Sequence, residues 1–177
     1  MKIVKTLLAA SVLLALVGGA GRLQADPVNA TVFSVTGTAE FAPPDSVSFK
    51  PLKVGQVLLI GSTVRTGDTG KVVLQTTPGS AVELGINSIL KLNELAFQKK
   101  DGAVVQRKVR IELTSGVVNA LIDPSTPKTT DFKIQTPEGA LVARGTFYTV
   151  EVRNGKTYAT VKEGKISAIA RPSHGSI

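Results

Sequence analysis

The feature that most constrains the fold of this chain is the shortness of its apolar runs. From Thr31 onward these runs are rich in Val, Ile, Leu and Thr, and nearly all of them end at Gly, Pro, Asn or Asp. No window sustains the helical period of about 3.6 residues, whereas alternation with a period of two recurs. This pattern predicts an antiparallel, hairpin-rich all-β fold, either a β-sandwich or a β-roll. A short β-solenoid stays open as an alternative, although the glycine spacing is irregular.

Short turns predict which strands pair. Asn154-Gly155 favours a type I′ turn, because both of its central positions need positive φ. It would place Tyr148 opposite Val161, Val150 opposite Ala159 and Val152 opposite Thr157. Other turns are predicted at Pro78-Gly79, Asp101-Gly102, Ser115-Gly116 and Glu163-Gly164. The last of these would extend one apolar face across three successive strands.

The segment 136–150 joins the closing hairpins to an incoming strand. Residues 131–135 alternate polar and apolar, and Pro137 ends that ladder because it has no N–H to donate. Arg144 is expected to bridge backbone carbonyls at the start of the next strand, with an outward ligand contact as the alternative. The structural motif is predicted to comprise Thr136, Pro137, Arg144, Gly145, Thr146, Tyr148, Gly155 and Gly164.

This part of the chain resembles the second half of the FecR (ferric-citrate regulator) domain. The family pattern F-x-V-x-T-P, R-G-T-x-F-x-V and V-x-x-G-x-V is matched by residues 132–137, 144–150 and 161–166. Elements between residues 57 and 88 are similar to the first half, and Tyr148 stands where the family usually has Phe. The resemblance implies a periplasmic domain that senses an outer-membrane transporter, in regulators that also carry a membrane span and a sigma-factor-binding segment.

The first 25 residues are predicted to be a secretory signal peptide. Lys2 and Lys5 precede an apolar run of eleven residues, Leu7 to Val17, and crossing a bilayer takes about 20. Cleavage is expected after Ala25, with Ala20 and Ala30 as alternatives. The β domain would then cover residues 26–170 and a flexible tail residues 171–177. A periplasmic or secreted location follows, with no stable membrane span after cleavage and no cytoplasmic sigma-binding module.

Composition and charge limit the covalent links and the classes of binding partner expected for this chain. The chain has no cysteine, which excludes disulfides and a lipoprotein anchor. Its formal net charge of +8 falls to +5 when Lys2, Lys5 and Arg22 are removed, since 8 − 3 = 5. Export argues against a nucleic-acid partner, and a modest positive charge favours solubility. The basic residues around one hairpin are predicted to form a solvated face, with an anionic envelope surface as the alternative; they are Lys99, Lys100, Arg107, Lys108 and Arg110.

Catalytic and metal-binding motifs are missing from the sequence. The single histidine, His174, lies in the predicted tail, and no G-x-S-x-G motif occurs. Asp68-Thr69-Gly70 has the triplet of an aspartic protease, but Asp in a turn explains it without chemistry. We therefore predict no enzyme activity, no cofactor and no metal site.

Three residues are candidates for surface contacts. Phe147, Tyr158 and Ile169 are predicted to share the outer face of the closing sheet, with Tyr158 beside Glu151 and Ile169. Such a patch suits a glycan or an envelope protein, but burial beneath a second sheet is the favoured interpretation.

The leading hypothesis is a non-catalytic, exported FecR-type binding module of the periplasm or cell surface. The alternative is an envelope structural or sensor-accessory protein that signals through a separate membrane partner, in iron-uptake-type regulation by family resemblance. A glycan or peptide hydrolase ranks third, because the sequence has neither a paired-carboxylate nor a nucleophile motif.

Overall fold

A computed structural model describes residues 26–171 of the chain. The predicted signal peptide, residues 1–25, and all of the predicted tail except Arg171 lie outside the described residues. Within 26–171 the structure contains strands and no helix. The strands are β1 (Asp26–Pro27), β2 (Ala30–Thr36), β3 (Ala39–Ala42), β4 (Lys50–Pro51), β5 (Val57–Leu58), β6 (Thr63–Thr66), β7 (Lys71–Thr77), β8 (Ser80–Leu84), β9 (Ile89–Lys100), β10 (Ala103–Ile122), β11 (Thr130–Thr136), β12 (Gly139–Ala143), β13 (Phe147–Arg153), β14 (Lys156–Glu163) and β15 (Ile166–Ala170). The all-β prediction is confirmed.

The twenty-residue strand β10 is the spine of the sheet. Its first part pairs with β9 on one side and with β11 on the other, and its last part pairs with β8 and β13. We call the first group sheet A, in the order β4-β3-β6-β9-β10-β11-β12-β15, and the second sheet B, in the order β5-β2-β7-β8-β10-β13-β14. Neighbouring strands run antiparallel, with the exception that β10 and β11 are parallel.

The hairpin predicted at Ser115-Gly116 is wrong, because β10 continues through both residues. Pairing with β9 shifts register between Leu113 and Ser115, and Gly116 has a φ of 85°. A Cβ at Gly116 would lie 2.2 Å from the Ser88 Oγ, so a side chain would collide with the neighbouring loop. The buried positions of β10 are odd-numbered up to Leu113 and even-numbered from Val118, as an extra residue in a bulge requires.

The hydrophobic core lies between the inner faces of the two sheets. Its large members come from both, including Leu74 and Tyr148 of sheet B and Leu92, Ile111 and Phe132 of sheet A, all essentially inaccessible to solvent. Burying each such side chain contributes about 1.5–3 kcal/mol, which is how a chain with no cysteine can hold two sheets together. β10 therefore links one continuous core rather than two separate ones.

The predicted β13–β14 hairpin is confirmed in residue-level register. β13 and β14 meet at Asn154-Gly155, whose φ values are 53° and 74°, and the three predicted residue pairs are those observed. β7 and β8 meet at the predicted Pro78-Gly79 turn, where Gly79 has a φ of 76°, and their pairing shifts register between Gln75 and Thr77. At Asn154-Gly155 the turn residues tolerate the required backbone conformation, so local sequence predicts the register of that hairpin.

The hairpin predicted at Glu163-Gly164 is wrong. β15 pairs with β12 in sheet A and not with β14 in sheet B. Gly164 has a φ of 87°, but Glu163 is not among the residues with positive φ, so a type I′ turn does not form. The chain instead crosses from one sheet to the other, where the Thr146 hydroxyl donates a hydrogen bond of 3.0 Å to the Lys165 carbonyl. β14 and β15 consequently end their sheets as two separate edges.

Candidate binding site

The two end strands β14 and β15 enclose an open groove. Sheet B ends at β14 and sheet A ends at β15, because within residues 26–171 neither strand has a second neighbour. The groove between them has a volume of about 650 Å³. Its walls carry Ala159 of β14 with Ala168 and Ala170 of β15, and Leu141 of β12 also lines it. We call this feature the open groove.

Strand register explains why the groove is apolar. Paired residues on neighbouring strands point to the same face of a sheet. Ala159 lies opposite the buried Val150, and Ala168 lies opposite the buried Leu141, so both groove residues face the side of the core. Yet Ala159 and Ala168 are both exposed. The groove is thus a stretch of core-facing surface that no other part of the described chain covers.

Backbone groups along both edges point outward from the sheets. The two residues that flank a two-residue turn form a hydrogen-bonded pair, and hydrogen-bonded and non-hydrogen-bonded pairs alternate along the strands from there. In a non-hydrogen-bonded pair, the N–H and C=O of each residue point away from the partner strand. Counting from Asn154-Gly155 directs the N–H and C=O of Thr157, Ala159 and Val161 away from β13. Counting from Pro137-Glu138 through β12 directs those of Ile166, Ala168 and Ala170 away from β12. The residues whose side chains face the core side are therefore also those whose backbone groups lie on the free edges.

Glu138 closes one end of the open groove. Its carboxylate accepts hydrogen bonds from the Thr157 backbone N–H at 2.6 Å and from the Lys156 Nζ at 3.3 Å. The Thr157 hydroxyl also donates to the Thr136 hydroxyl at 2.9 Å. The hydrogen bond from Thr157, followed by that from Lys156, holds the pKa of Glu138 below its usual value. These contacts tie the β11–β12 turn of sheet A to β14 of sheet B.

The structure separates the three predicted contact residues. Tyr158 is 50% exposed, lies opposite Glu151 as predicted, and has the Arg153 guanidinium 5.2 Å from its ring centroid. Phe147 is half-buried, with the Lys162 Nζ 5.0 Å from its ring centroid. Ile169 lies in sheet A opposite Ala140 and lines the open groove. The expectation that Ile169 adjoins Tyr158 is wrong, because β15 does not pair with β14.

The residues of the predicted structural motif lie in three different places. Thr136 and Pro137 line the open groove, and Gly155 lies in the β13–β14 turn. Gly145 has a φ of 67°, and a Cβ there would lie 2.7 Å from the Pro124 Cα, so this position needs glycine. Thr146 is buried and bonded to Lys165 across the strand crossover. Gly145 and Thr146 therefore pack at the crossover between the sheets.

Tyr148 carries a hydroxyl that the core does not satisfy. The side chain is fully buried, and its hydroxyl oxygen has no hydrogen-bond partner in the described structure. Burial raises the pKa of the phenol well above its ordinary value. The hydroxyl therefore stays protonated and costs free energy through desolvation.

Arg144 does not have the expected buried role. It is exposed, and in residues 26–171 no hydrogen bond or ion pair holds its guanidinium. Arg107, predicted to belong to a solvated basic face, is instead only 2% exposed. It donates to the Pro78 carbonyl at 2.9 Å and to the hydroxyls of Thr126 and Thr130 at 3.0 Å each.

Sequence alone did not single out Arg107. Burial lowers its pKa, partly offset by Asp123, whose carboxylate lies 3.9 Å away. The alternation of β10 could have indicated its burial, because Arg107 is two and four residues from the core residues Val109 and Ile111 and so lies on the same face of the strand.

Sequence reasoning also missed a second apolar surface. Phe33, which is 73% exposed, and Leu121, which is 58% exposed, line a depression of about 640 Å³ with Val73 and Ala81 on sheet B. We call this feature the outer patch. Its strands β7, β8 and β10 each have a neighbouring strand on both sides, so this part of the outer patch offers side chains but no free backbone edge.

Within 26–171 no group of three or more His, Cys, Asp or Glu side chains could hold a metal ion. In the same residues no helix has the length and hydropathy needed to cross a membrane.

The comparison with known families agrees with the sequence motifs. The profile of the FecR protein family matches residues 62–167, which span β6 to β14 and the greater part of the chain. No curated protein and no solved structure gives a significant match. The chain belongs to the FecR protein family.

Proposed function

We propose that this chain is a non-catalytic module that binds a protein of the bacterial envelope, in the periplasm or at the cell surface. The open groove is its binding site. One observation carries the proposal: core-facing apolar side chains line a groove between two strand edges that no described segment covers. Apolar surface of this kind, beside unpaired strand edges, is typical of interaction sites.

The family supports the class of function. FecR domains are sensor-type domains of regulators, typically on the periplasmic side of the envelope, and the family is not known for enzymatic activity. Export of this chain rests on the predicted signal peptide. A sensor domain acts by contact with another macromolecule, so an uncovered groove is the feature that such a function needs.

The proposal is tested by capture from an envelope extract with two matched variants. Ala168→Lys places a charge in the open groove, whereas Leu121→Lys places the same charge on the outer patch. Both positions are exposed, so both variants should keep the thermal midpoint of the wild type within a few degrees. The captured protein should be retained by Leu121→Lys and lost by Ala168→Lys.

The opposite pattern, with capture lost only in Leu121→Lys, would move the site to the outer patch. A glycan array run alongside distinguishes the partner class. Strong binding to a glycan that survives Ala168→Lys would contradict a protein-binding groove.

A further inference from the structure

We propose that the occupant of the open groove is an extended segment of a partner protein, which adds as a strand to β15. The segment carries apolar residues at alternate positions over about five residues and an acidic residue at each end. This inference deepens the proposed function and rests on it. It is argued from the protection of the sheet edges, the shape of the groove and the charges beside β15.

Within residues 26–171 the edge of β15 is unprotected, unlike the other ends of the sheets. Natural edge strands avoid unwanted pairing by being short, by carrying Pro or by carrying charge. β4 is two residues long and contains Pro51, and β5 is also two residues long. β14 carries Lys156, Lys162 and Glu163. β15 has none of these devices over its five residues, Ile-Ser-Ala-Ile-Ala.

The groove has the shape that an added strand requires. Ile166, Ala168 and Ala170 direct backbone N–H and C=O groups to the free edge, where an extended chain can pair with them. Their side chains face the core side, and alternate side chains of an added strand would do the same. The alanines lining the walls leave room, so branched apolar residues at those alternate positions fill the groove.

Charges beside β15 define the ends of the occupant. Lys165 precedes the strand and Arg171 follows it, both are exposed, and no acidic residue lies between them. They are six residues apart, which is about 20 Å along an extended strand. Glu138, the nearest described acid on the groove wall, is already bonded to Thr157 and Lys156. A strand with carboxylates six residues apart complements this pair of cations.

The same charges argue against a second copy of this chain. Two β15 strands pairing antiparallel over all five residues would place Ala168 opposite Ala168. That register puts Lys165 of each copy opposite Arg171 of the other. Like charges directly opposite across a strand pair are destabilising. A heterologous, acidic-ended strand is therefore favoured over self-association.

The test uses two capped heptapeptides, EVTVTVE and KVTVTVK, titrated onto the exported protein by calorimetry. The first should bind about five- to tenfold more tightly, the scale of two exposed ion pairs. The preference should shrink as salt rises, because exposed charges are screened. The double substitution Lys165→Glu with Arg171→Glu should reverse the preference and favour KVTVTVK.

A second variant tests backbone pairing. Ala168→Pro removes an N–H that points to the free edge, so pairing with β12 is kept while the added strand loses a hydrogen bond and meets the proline ring. EVTVTVE should then bind at least about tenfold more weakly. Should this variant not fold, the charge reversal decides the question on its own.

Several results would overturn the inference. One is equal affinity of the wild type for both peptides, or no binding of either up to about 1 mM. Another is a concentration-dependent dimer that Ala168→Pro abolishes, which would assign the edge to a second copy. Failure of the proposed function is distinguishable, because it appears as envelope capture that survives Ala168→Lys, whatever the peptides show.

Discussion

β13 and β14 belong to one hairpin and carry the same apolar pattern, yet only β13 is buried. Tyr148, Val150 and Val152 are at most 4% exposed, whereas Val161, directly opposite Tyr148, is 40% exposed. The hairpin turn and the register are as predicted, so local sequence does not distinguish the strands. The difference lies in what covers them, since β10 flanks β13 and nothing described flanks the outer edge of β14.

Arg107 shows how a buried charge is accommodated away from the open groove. Its guanidinium is buried, but the Pro78 carbonyl and two threonine hydroxyls accept its hydrogen bonds. A buried charge is tolerated only when such partners are present. Arg107 therefore has its hydrogen bonds satisfied by neighbouring residues. The open groove, by contrast, leaves backbone groups and apolar side chains that no described segment covers.

The largest expected effect tests the hydrogen bonds of the buried Arg107. Arg107→Ala should lower the free energy of unfolding by about 3 kcal/mol, because three acceptors lose their donor and a cavity is left. Arg144→Ala is the matched control and should change stability by no more than about 0.5 kcal/mol, since Arg144 is exposed. Urea unfolding of both variants makes the measurement, and equal losses would show that burial is not what distinguishes the two arginines.

The next effect tests the two strands of the hairpin directly. Val150→Ala should cost about 2–3 kcal/mol, because it removes fully buried methyl groups and leaves a cavity. Val161→Ala, two strand positions away on the paired strand, should cost about 0.5 kcal/mol or less. The measurement is again chemical denaturation. A cost at Val161 as large as that at Val150 would mean that β14 is covered in solution and the groove is closed.

A smaller effect of opposite sign concerns the buried hydroxyl of β13. Tyr148→Phe should raise the free energy of unfolding by about 1 kcal/mol, because the hydroxyl is desolvated without a hydrogen bond. Thermal unfolding of the two proteins compares them, with Tyr158→Phe as the exposed control. A loss of stability in Tyr148→Phe would show that the hydroxyl has a hydrogen-bond partner in the core, contrary to the structure.

The smallest effect concerns the contacts of Glu138 at the end of the groove. Its pKa is lowered on folding, so its ionised form stabilises the fold above the unfolded pKa, and that contribution is lost as pH falls through the folded pKa. Wild type should melt slightly above Glu138→Gln at neutral pH, and the two midpoints should converge as pH falls well below 4.5. A midpoint difference that persists in acid would point to a different cause, such as the loss of packing.

Sequence reasoning succeeded where a turn or an alternation is local. The Asn154-Gly155 hairpin, the inward face of β13 and the family motifs over residues 132–166 were all predicted, because φ preference and side-chain parity act within a few residues. It failed at Ser115-Gly116 and Glu163-Gly164, where glycine serves a bulge and a crossover. A glycine permits positive φ in all three settings, so its presence cannot tell a turn from a crossover.

The candidate site was only partly predictable. Ile169 was named as a contact residue and does line the open groove, but it was placed beside the wrong strand. Arg144 was expected to have an internal role and Arg107 to lie on a solvated face, but Arg144 is exposed and Arg107 is buried. Burial of Arg107 depends on neighbours from the β7–β8 turn and from the segment around the start of β11.

The sequence by itself determined an all-β chain of the FecR family, the register of the β13–β14 hairpin and the inward-facing residues of β13. These follow from backbone preferences and from a period of two, which are properties of short segments. Tertiary structure alone decided that β10 joins both sheets, that β15 returns to β12 and that Arg107 is buried. Each of these depends on segments far apart in the chain, and the open groove exists because β14 and β15 end different sheets.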